Sequence, residues 1–492
     1  MAERPNFLVF MTDQEQGAVA RPGHPCRTPY AEGLVSEGIS FVEAYCPTAH
    51  CCPSRATFMT GLYPSRHGVY NNVCTPTAIH FGLNPGVGTF SEALREAGYR
   101  LVYVGKWHVS AEEGPADRGW EEVLVTAGKG ASHHRSIGAW RDVVPSEGPR
   151  GRGEIVRPGW GNYRLYGVGE EKEVADRRIV DAALRALKEL AGEGGPWFLF
   201  VGPSGPHDPY IVPKRFVRAY DPKEVLLPPS YADTLEDKPR VYRRMREQYW
   251  GQLSEEEVRE AVAHYWAYCT MMDEMFGEVL EALDRTGQAD RTLVLRLSDH
   301  GDYVGAHGLF LKGVPAFREA YNIVAVLRWP EGIKDPGREV DAFVTLADFA
   351  PTFMELAGVQ VPEGLTGRSL VPFLRGEEPE DWPDAFFSQF NGVELYYTQR
   401  IVRTKEYKYV FNGFDMDELY DLREDPYETV NLADRPEYRE VKRELVGRMW
   451  RFAAEEGDEL IFNPYPTVAL APWGPGEGLA RPQDAHRKGD PP

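Results

Sequence analysis

Two adjacent cysteines, a proline, a serine and an arginine stand together as Cys51-Cys52-Pro53-Ser54-Arg55, with Thr60-Gly61 closing the stretch. These types at this spacing suit a nucleophile beside an anion-binding pocket. Pro53 fits the first turn of a helix, where its missing N–H would be unpaired anyway. Cys51 then lies at the helix N-terminus, where backbone N–H groups and the dipole favour negative charge. Arg55, one turn further on, can face the same point. Cys-Cys alone is an ordinary buried pair, so the remaining residues have to carry the argument.

Further candidates recur just past β-prone runs. Phe7 to Met11 is a continuous apolar run of the kind that fills a parallel sheet, and Asp13 and Gln14 follow it. Tyr99 to Val104 leads into Lys106 and His108. Trp197 to Val201 precedes a Pro- and Gly-rich stretch carrying His207. Thr292 to Leu297 runs into Asp299 and His300, with Lys312 shortly after. Singly these are turn carboxylates, a surface lysine and lone histidines. A parallel sheet brings strand ends to one edge, where open α/β sheets bind their ligands. Asp13, Gln14, Asp299 and His300 would suit one divalent cation. Mostly oxygen ligands favour calcium; His300 keeps magnesium and manganese open.

The elements that must position these residues read as an α/β fold with a central, mostly parallel sheet flanked by helices. Thr89-Phe-Ser-Glu92 and Ser254-Glu-Glu-Glu257 are capping boxes, opening helices to Gly98 and to about Leu283. Val174 to Ala191 has a helical apolar stripe. Asn322 to Trp329 reads as one more strand, and Thr345 to Leu356 as a helix. Residues 110 to 170 form a Gly-, Pro- and Arg-rich insertion. It is either a substrate-contacting lid carrying His133, His134, Arg135, Trp140 and Trp160, or a plain surface excursion. Residues 211 to 250 form a second excursion. The pattern changes near residue 375, which divides a catalytic domain, 1–374, from a smaller α+β part, 375–492. That part has short antiparallel strands, one helix from Tyr438 to Ala454, and a Pro- and Gly-rich tail beyond 463.

The chain has 492 residues and a net charge of -20, from 55 basic and 75 acidic side chains. That balance argues against non-specific nucleic-acid binding. Its six cysteines show no paired CxxC zinc pattern. No run is long enough to span a membrane, and no secretory leader is read at the N-terminus. These features lead us to expect a cytoplasmic protein with reduced thiols.

The spacing Cys51-x-Pro53-Ser54-Arg55 with Thr60-Gly61 resembles the signature of the type I sulfatases of the alkaline phosphatase superfamily. The resemblance continues in order along the chain. Asp13-Gln14 matches the first metal pair, with Gln in place of the commoner Asp. Gly105-Lys106-Trp107-His108, His207-x-Pro209 and Asp299-His300 followed by Lys312 match further site segments. Leu419-Tyr-Asp-Leu422, Asp425-Pro426 and Asn431-Leu-Ala433 match the C-terminal part. The resemblance implies an alkaline-phosphatase-like fold with a smaller C-terminal domain. It also implies hydrolysis of carbohydrate or aryl sulfate monoesters with one divalent cation.

In that family the first cysteine of the motif, here Cys51, is oxidised to formylglycine by a formylglycine-generating enzyme. An oxygen of its hydrate would complete the cation site of Asp13, Gln14, Asp299 and His300 and would attack sulfur, with Asp299 accepting the proton. Arg55, Lys106 and Lys312 would neutralise the sulfate oxygens. His207, helped by Lys312, would protonate the leaving alcohol, and His108 would take the proton that lets sulfate depart. Two other readings stand beside this one: a phosphonate monoester or phosphodiester hydrolase of the same superfamily, where an Asp-Gln pair is also familiar, and a non-catalytic metal-binding homologue never matured at Cys51.

Overall fold

An eight-stranded sheet carries the site residues. Its spatial order is Arg338–Val340, Ile39–Phe41, Ala325–Arg328, Thr292–Ser298, Asn6–Thr12, Trp197–Gly202, Arg100–Lys106 and Glu121–Thr126. The computed structural model describes residues 4–75, 77–130, 149–157, 161–392, 396–413, 415–462 and 472–475. His133, His134, Arg135, Trp140, Trp160 and nearly all of the tail lie outside the described residues.

The sheet is parallel except for Ala325–Arg328, which is antiparallel to both neighbours. The strand expected at Asn322 to Trp329 is therefore shorter and reversed. Glu121–Thr126, inside the stretch read as a loop-rich insertion, pairs parallel with Arg100–Lys106 and forms the sheet edge. Its exposed Glu121, Glu122 and Val123 blur the alternation that marks a strand.

The Asn6–Thr12 strand is buried throughout because both faces of the sheet are covered. Phe7 points to one face, 5.2 Å edge-on to Phe353 of helix Phe349–Leu356. Phe10 points to the other, 5.2 Å from Phe276 of helix Glu255–Arg285. That long helix starts at the expected capping box: Ser254 Oγ accepts from Glu257 N at 3.2 Å, and Glu257 returns the bond to Ser254 N at 2.9 Å. Helix Ala175–Gly192 packs beside it, and helices Cys51–Thr60 and Phe90–Glu96 lie with Phe349–Leu356 on the opposite face. Among the described residues no helix is long and apolar enough to cross a membrane.

Parallel register aligns the strand ends. Thr12 pairs with Ser298, Phe10 with Val201, and Gly105 with Gly202. Gly105 has φ +112°, and a Cβ there would lie 2.1 Å from the Gly202 carbonyl oxygen. Only glycine lets the two chains close at this point, just ahead of Lys106.

A second, antiparallel sheet of Phe386–Phe390, Gln399–Arg403, Tyr407–Phe411 and Glu418–Asp421 makes the C-terminal part. Helix Arg439–Glu455 covers one face, with Trp450 edge-on to Phe411 at 4.9 Å. The strand Phe386–Phe390 reaches the approach to Cys51. Gln389 N donates to Pro47 O at 2.9 Å, and its side-chain oxygen accepts from Ser65 N at 2.9 Å. Arg400, fully buried, grips Asp458 with two bonds of 2.5 and 2.8 Å and also donates to Phe390 O at 3.2 Å. Replacing Arg400 with Met would leave the Asp458 carboxylate buried without its cation, at a cost of about 3–5 kcal/mol. Urea unfolding should show that loss, and a change under about 1 kcal/mol would refute it.

Candidate active site

Helix Cys51–Thr60 is buried along all ten residues. His50 precedes it in extended conformation, and Gly61 at φ +73° ends it. Cys52 N donates to Asn72 Oδ1 at 3.2 Å, and Ser54 Oγ donates to Thr48 O at 2.6 Å. These bonds fix the N-terminal turn, which sets the direction of the Cys51 and Arg55 side chains. Arg55 Nε donates to Asp299 Oδ2 at 2.8 Å, one terminal nitrogen lies 3.7 Å from Asp13 Oδ2, and the other donates to Lys106 O at 2.8 Å.

Asp13, Cys51, Asp299 and His300 are fully buried, each offering one ligand atom, all within 4.8 Å of one another. Cys51 Sγ is 3.2 Å from His300 Nε2 and 3.6 Å from Asp13 Oδ1. His300 Nε2 is 3.5 Å from Asp13 Oδ1 and 3.7 Å from Asp299 Oδ1. Such spacing suits atoms sharing one ion at about 2.0–2.6 Å. His300 Nδ1 donates to the Gly301 carbonyl oxygen at 2.9 Å, which turns Nε2 toward the group. Two carboxylate oxygens, an imidazole nitrogen and the atom at position 51 therefore fit a divalent cation.

Gln14 stands beside them at φ +68°, a left-handed conformation that costs a non-glycine residue of order 1–3 kcal/mol. Its N–H donates to Asp299 Oδ1 at 3.1 Å, and its carbonyl accepts from Tyr265 OH at 2.9 Å. Its side-chain oxygen accepts from Lys312 Nζ. Below it, buried Arg296 grips Glu15 at 2.7 Å and joins the two central strand ends.

The electrostatics are those of crowded charge. Burial and the Cys51 sulfur push the Asp13 carboxyl up, yet Lys106, His207 and Arg55 together hold it below the ordinary range. Asp299, also raised by burial and by Asp13, stays above its ordinary value. Burial likewise opposes a charge on Cys51, but Lys106, Lys312 and His300, with a hydrogen bond from His108, bring its thiol well below normal. The pocket thus favours an anion at position 51.

Two further histidines meet the same atom with opposite tendencies. His108, at φ +53°, is pushed down to about 4 by burial and by Lys106, against a hydrogen bond to Cys51. His207 is pushed up to about 9: burial and Lys312 oppose its charge, and Asp208, Asp13 and a bond to Cys51 outweigh them. His207 Nε2 is 2.6 Å from Lys312 Nζ. Two protonated nitrogens repel at that distance, so the pair shares one transferable proton. Environments that separate two titrating groups in this way mark an acid and a base.

The ten residues picked out as catalytic or metal-binding candidates thus gather around residue 51. Four partners were not picked out. Asp302 accepts from Val304 N at 2.9 Å, Leu311 N at 2.8 Å, Gln14 Nε2 at 2.6 Å and Tyr210 OH. It lies three residues past Asp299 in Asp-His-Gly-Asp, a signal available in the sequence. Asp208, between His207 and Pro209, accepts from Gln14 Nε2 at 3.1 Å and from Tyr163 OH. His50 is buried on Phe390 at 5.3 Å, and neither ring nitrogen has a hydrogen-bond partner among the described residues. Tyr163 and His50 carried no readable signal.

A family profile described as Sulfatase matches residues 5–359, and one described as N-sulphoglucosamine sulphohydrolase, C-terminal, matches residues 305–455. The choline-sulfatase of Rhizobium meliloti is 30% identical over 457 residues, covering 88% of this chain and 83% of that protein. A structure solved in complex with its substrate D-glucosamine-2-N,6-O-disulfate superposes with a TM-score of 0.75 at 22% identity, over 94% of this chain and 100% of that one. The phosphonate monoester hydrolase of Agrobacterium radiobacter gives the same TM-score, 0.75, at 24% identity, over 92% and 96%. These two structures share the fold with this chain.

Asp302→Ala would strand four donors at once and free Gln14 from its seat. We expect unfolding free energy to fall by about 3–5 kcal/mol in chemical denaturation. A fall within about 1 kcal/mol would show that the carboxylate does not organise the site.

Proposed function

The chain belongs to the sulfatase family and is a sulfuric ester hydrolase, and we propose that it cleaves sulfate monoesters of saccharides at the Cys51 centre. The observation that carries this reading is the buried set Asp13, Cys51, Asp299 and His300, ringed by Arg55, Lys106, Lys312, His108 and His207. Such a ring offers cationic donors to the oxygens of a small anion and an acid and a base to its ester. The saccharide class draws on the glucosamine disulfate bound by the similar structure.

Asp13, Gln14, Asp299 and His300 would hold one divalent cation, calcium by the hardness of the oxygen donors. Cys51 would be matured to formylglycine by a formylglycine-generating enzyme. The cation supplies positive charge at the attacking oxygen, and the hydrated aldehyde supplies that oxygen and a second hydroxyl. The remaining work falls to the chain's own side chains. Arg55, held by Asp299, and Lys106, held by Asp13, meet the sulfate oxygens as charge moves onto them. Lys312, bonded to Gln14 and beside His207, does the same. His207 gives the leaving alcohol the proton that its Nε2 shares with Lys312 Nζ, 2.6 Å away. His108, neutral beside residue 51, accepts the proton whose removal lets sulfate depart.

Protein co-expressed with a formylglycine-generating enzyme tests the reaction class directly. We expect kcat/KM for an aryl sulfate to exceed that for the matching phosphonate monoester, with sulfated sugars then ranked in a panel. The reverse preference would make the chain a phosphonate hydrolase. Cys51→Ser should lower turnover by about three orders of magnitude or more while the melting temperature holds. Turnover like the wild type in that variant would sink the scheme.

A chelator should remove one divalent ion per chain together with activity, and calcium should restore both. Asp13→Asn should bind no ion by elemental analysis. Full activity in metal-free protein would overturn the cation assignment.

A further inference from the structure

The insertion between the Lys106 strand and the Ala175 helix sends one side chain to the floor of the site. Its hairpin, Glu154–Arg157 paired with Gly161–Arg164, is clamped to the start of the long helix. Arg150 binds Glu257 with two bonds of 2.7 Å, and Gly153 N donates to the same carboxylate at 3.0 Å. Val156 and the Gln252 side chain exchange two bonds of 2.9 Å. Just past the hairpin, Leu165 O accepts from Tyr210 N at 2.7 Å, two residues beyond Asp208. These anchors bring Tyr163 OH onto Asp208 Oδ2 as a donor.

The other edge of Asp208 faces His207. Oδ1 lies 3.2 Å from His207 Nδ1 and accepts from Gln14 Nε2 at 3.1 Å. His207 Nδ1 is also 2.8 Å from the Asp208 carbonyl oxygen. With Nδ1 held there, the Nε2 edge turns to Lys312. Asp208 holds the ring through one oxygen, and Tyr163 holds Asp208 through the other.

We propose that Tyr163 is a positioning residue for leaving-group protonation: through Asp208 it fixes the His207 ring so that Nε2 faces the departing oxygen. As the S–O bond breaks, its electron pair goes to the alcohol oxygen, which takes the proton from Nε2. A poor leaving group depends on that proton; a nitrophenolate does not. The inference rests on the assignment of His207 as the acid in the proposed function. It also gives the insertion a part in the chemistry through a residue the structure describes.

The test compares kcat and KM for an alkyl sulfate and a nitrophenyl sulfate. In Tyr163→Phe we expect kcat on the alkyl ester to fall about ten- to a hundredfold. Loss on the nitrophenyl ester should stay below about twofold, with KM and melting temperature unchanged. In an Asp208→Ala background the same substitution should add nothing, since the two act through one carboxylate. Equal slowing of both esters by Tyr163→Phe, or an undiminished effect without Asp208, overturns the proposal.

His207→Gln is measured alongside. If it slows the alkyl ester selectively while Tyr163→Phe does not, positioning by Tyr163 fails and the acid assignment stands. If His207→Gln slows both esters alike, the acid assignment fails and the proposal falls with it.

Discussion

The constraint on which the rest depends is the burial of several anions away from bulk solvent. Asp13, Asp299 and residue 51 converge with no solvent exposure to screen them. An ionised carboxylate in such a place is costly unless charges of the other sign and hydrogen bonds are fixed around it. Arg55 and Lys106 answer one side of this demand, and the ligand geometry leaves room for a cation to answer the other. Because these partners arise on four different strands or helices, the demand can be met only when the whole sheet is assembled.

That requirement explains features away from the reacting atoms. Glycines at 105 and 202 let neighbouring strand ends close until Lys106 reaches Asp13. The buried Arg296–Glu15 pair joins the two central strands immediately under the site. Gln14 and His108 both hold left-handed backbone conformations. Strain of this kind persists only where the surroundings over-determine it, and here Asp299 and Tyr265 grip the backbone of Gln14.

The C-terminal sheet and the insertion each buttress the centre from outside the main sheet. Gln389 and Phe390 back the turn that ends in His50 and Cys51. The insertion brings Tyr163 to Asp208. Neither segment supplies a member of the buried quartet, yet each holds a residue next to the site in place. A change in either would therefore be felt at the reacting atoms through geometry rather than through charge.

The sequence by itself determined which residue types stand at the strand ends and, through the apolar runs at Phe7, Tyr99, Trp197 and Thr292, that one sheet would bring them together. It located the helix behind Cys51 and both capping boxes, because such signals are local: a cap, a proline or a period lies within a few residues. What only the tertiary structure decided is what meets across long distances. The reversed strand at Ala325–Arg328, the edge strand at Glu121–Thr126, the four bonds on Asp302 and the reach of Tyr163 to Asp208 join residues by pairing and packing. An aspartate in a loop and a tyrosine on a half-buried hairpin have no periodicity to betray them. Their roles come from the partner the fold places opposite, and only the folded chain specifies that partner.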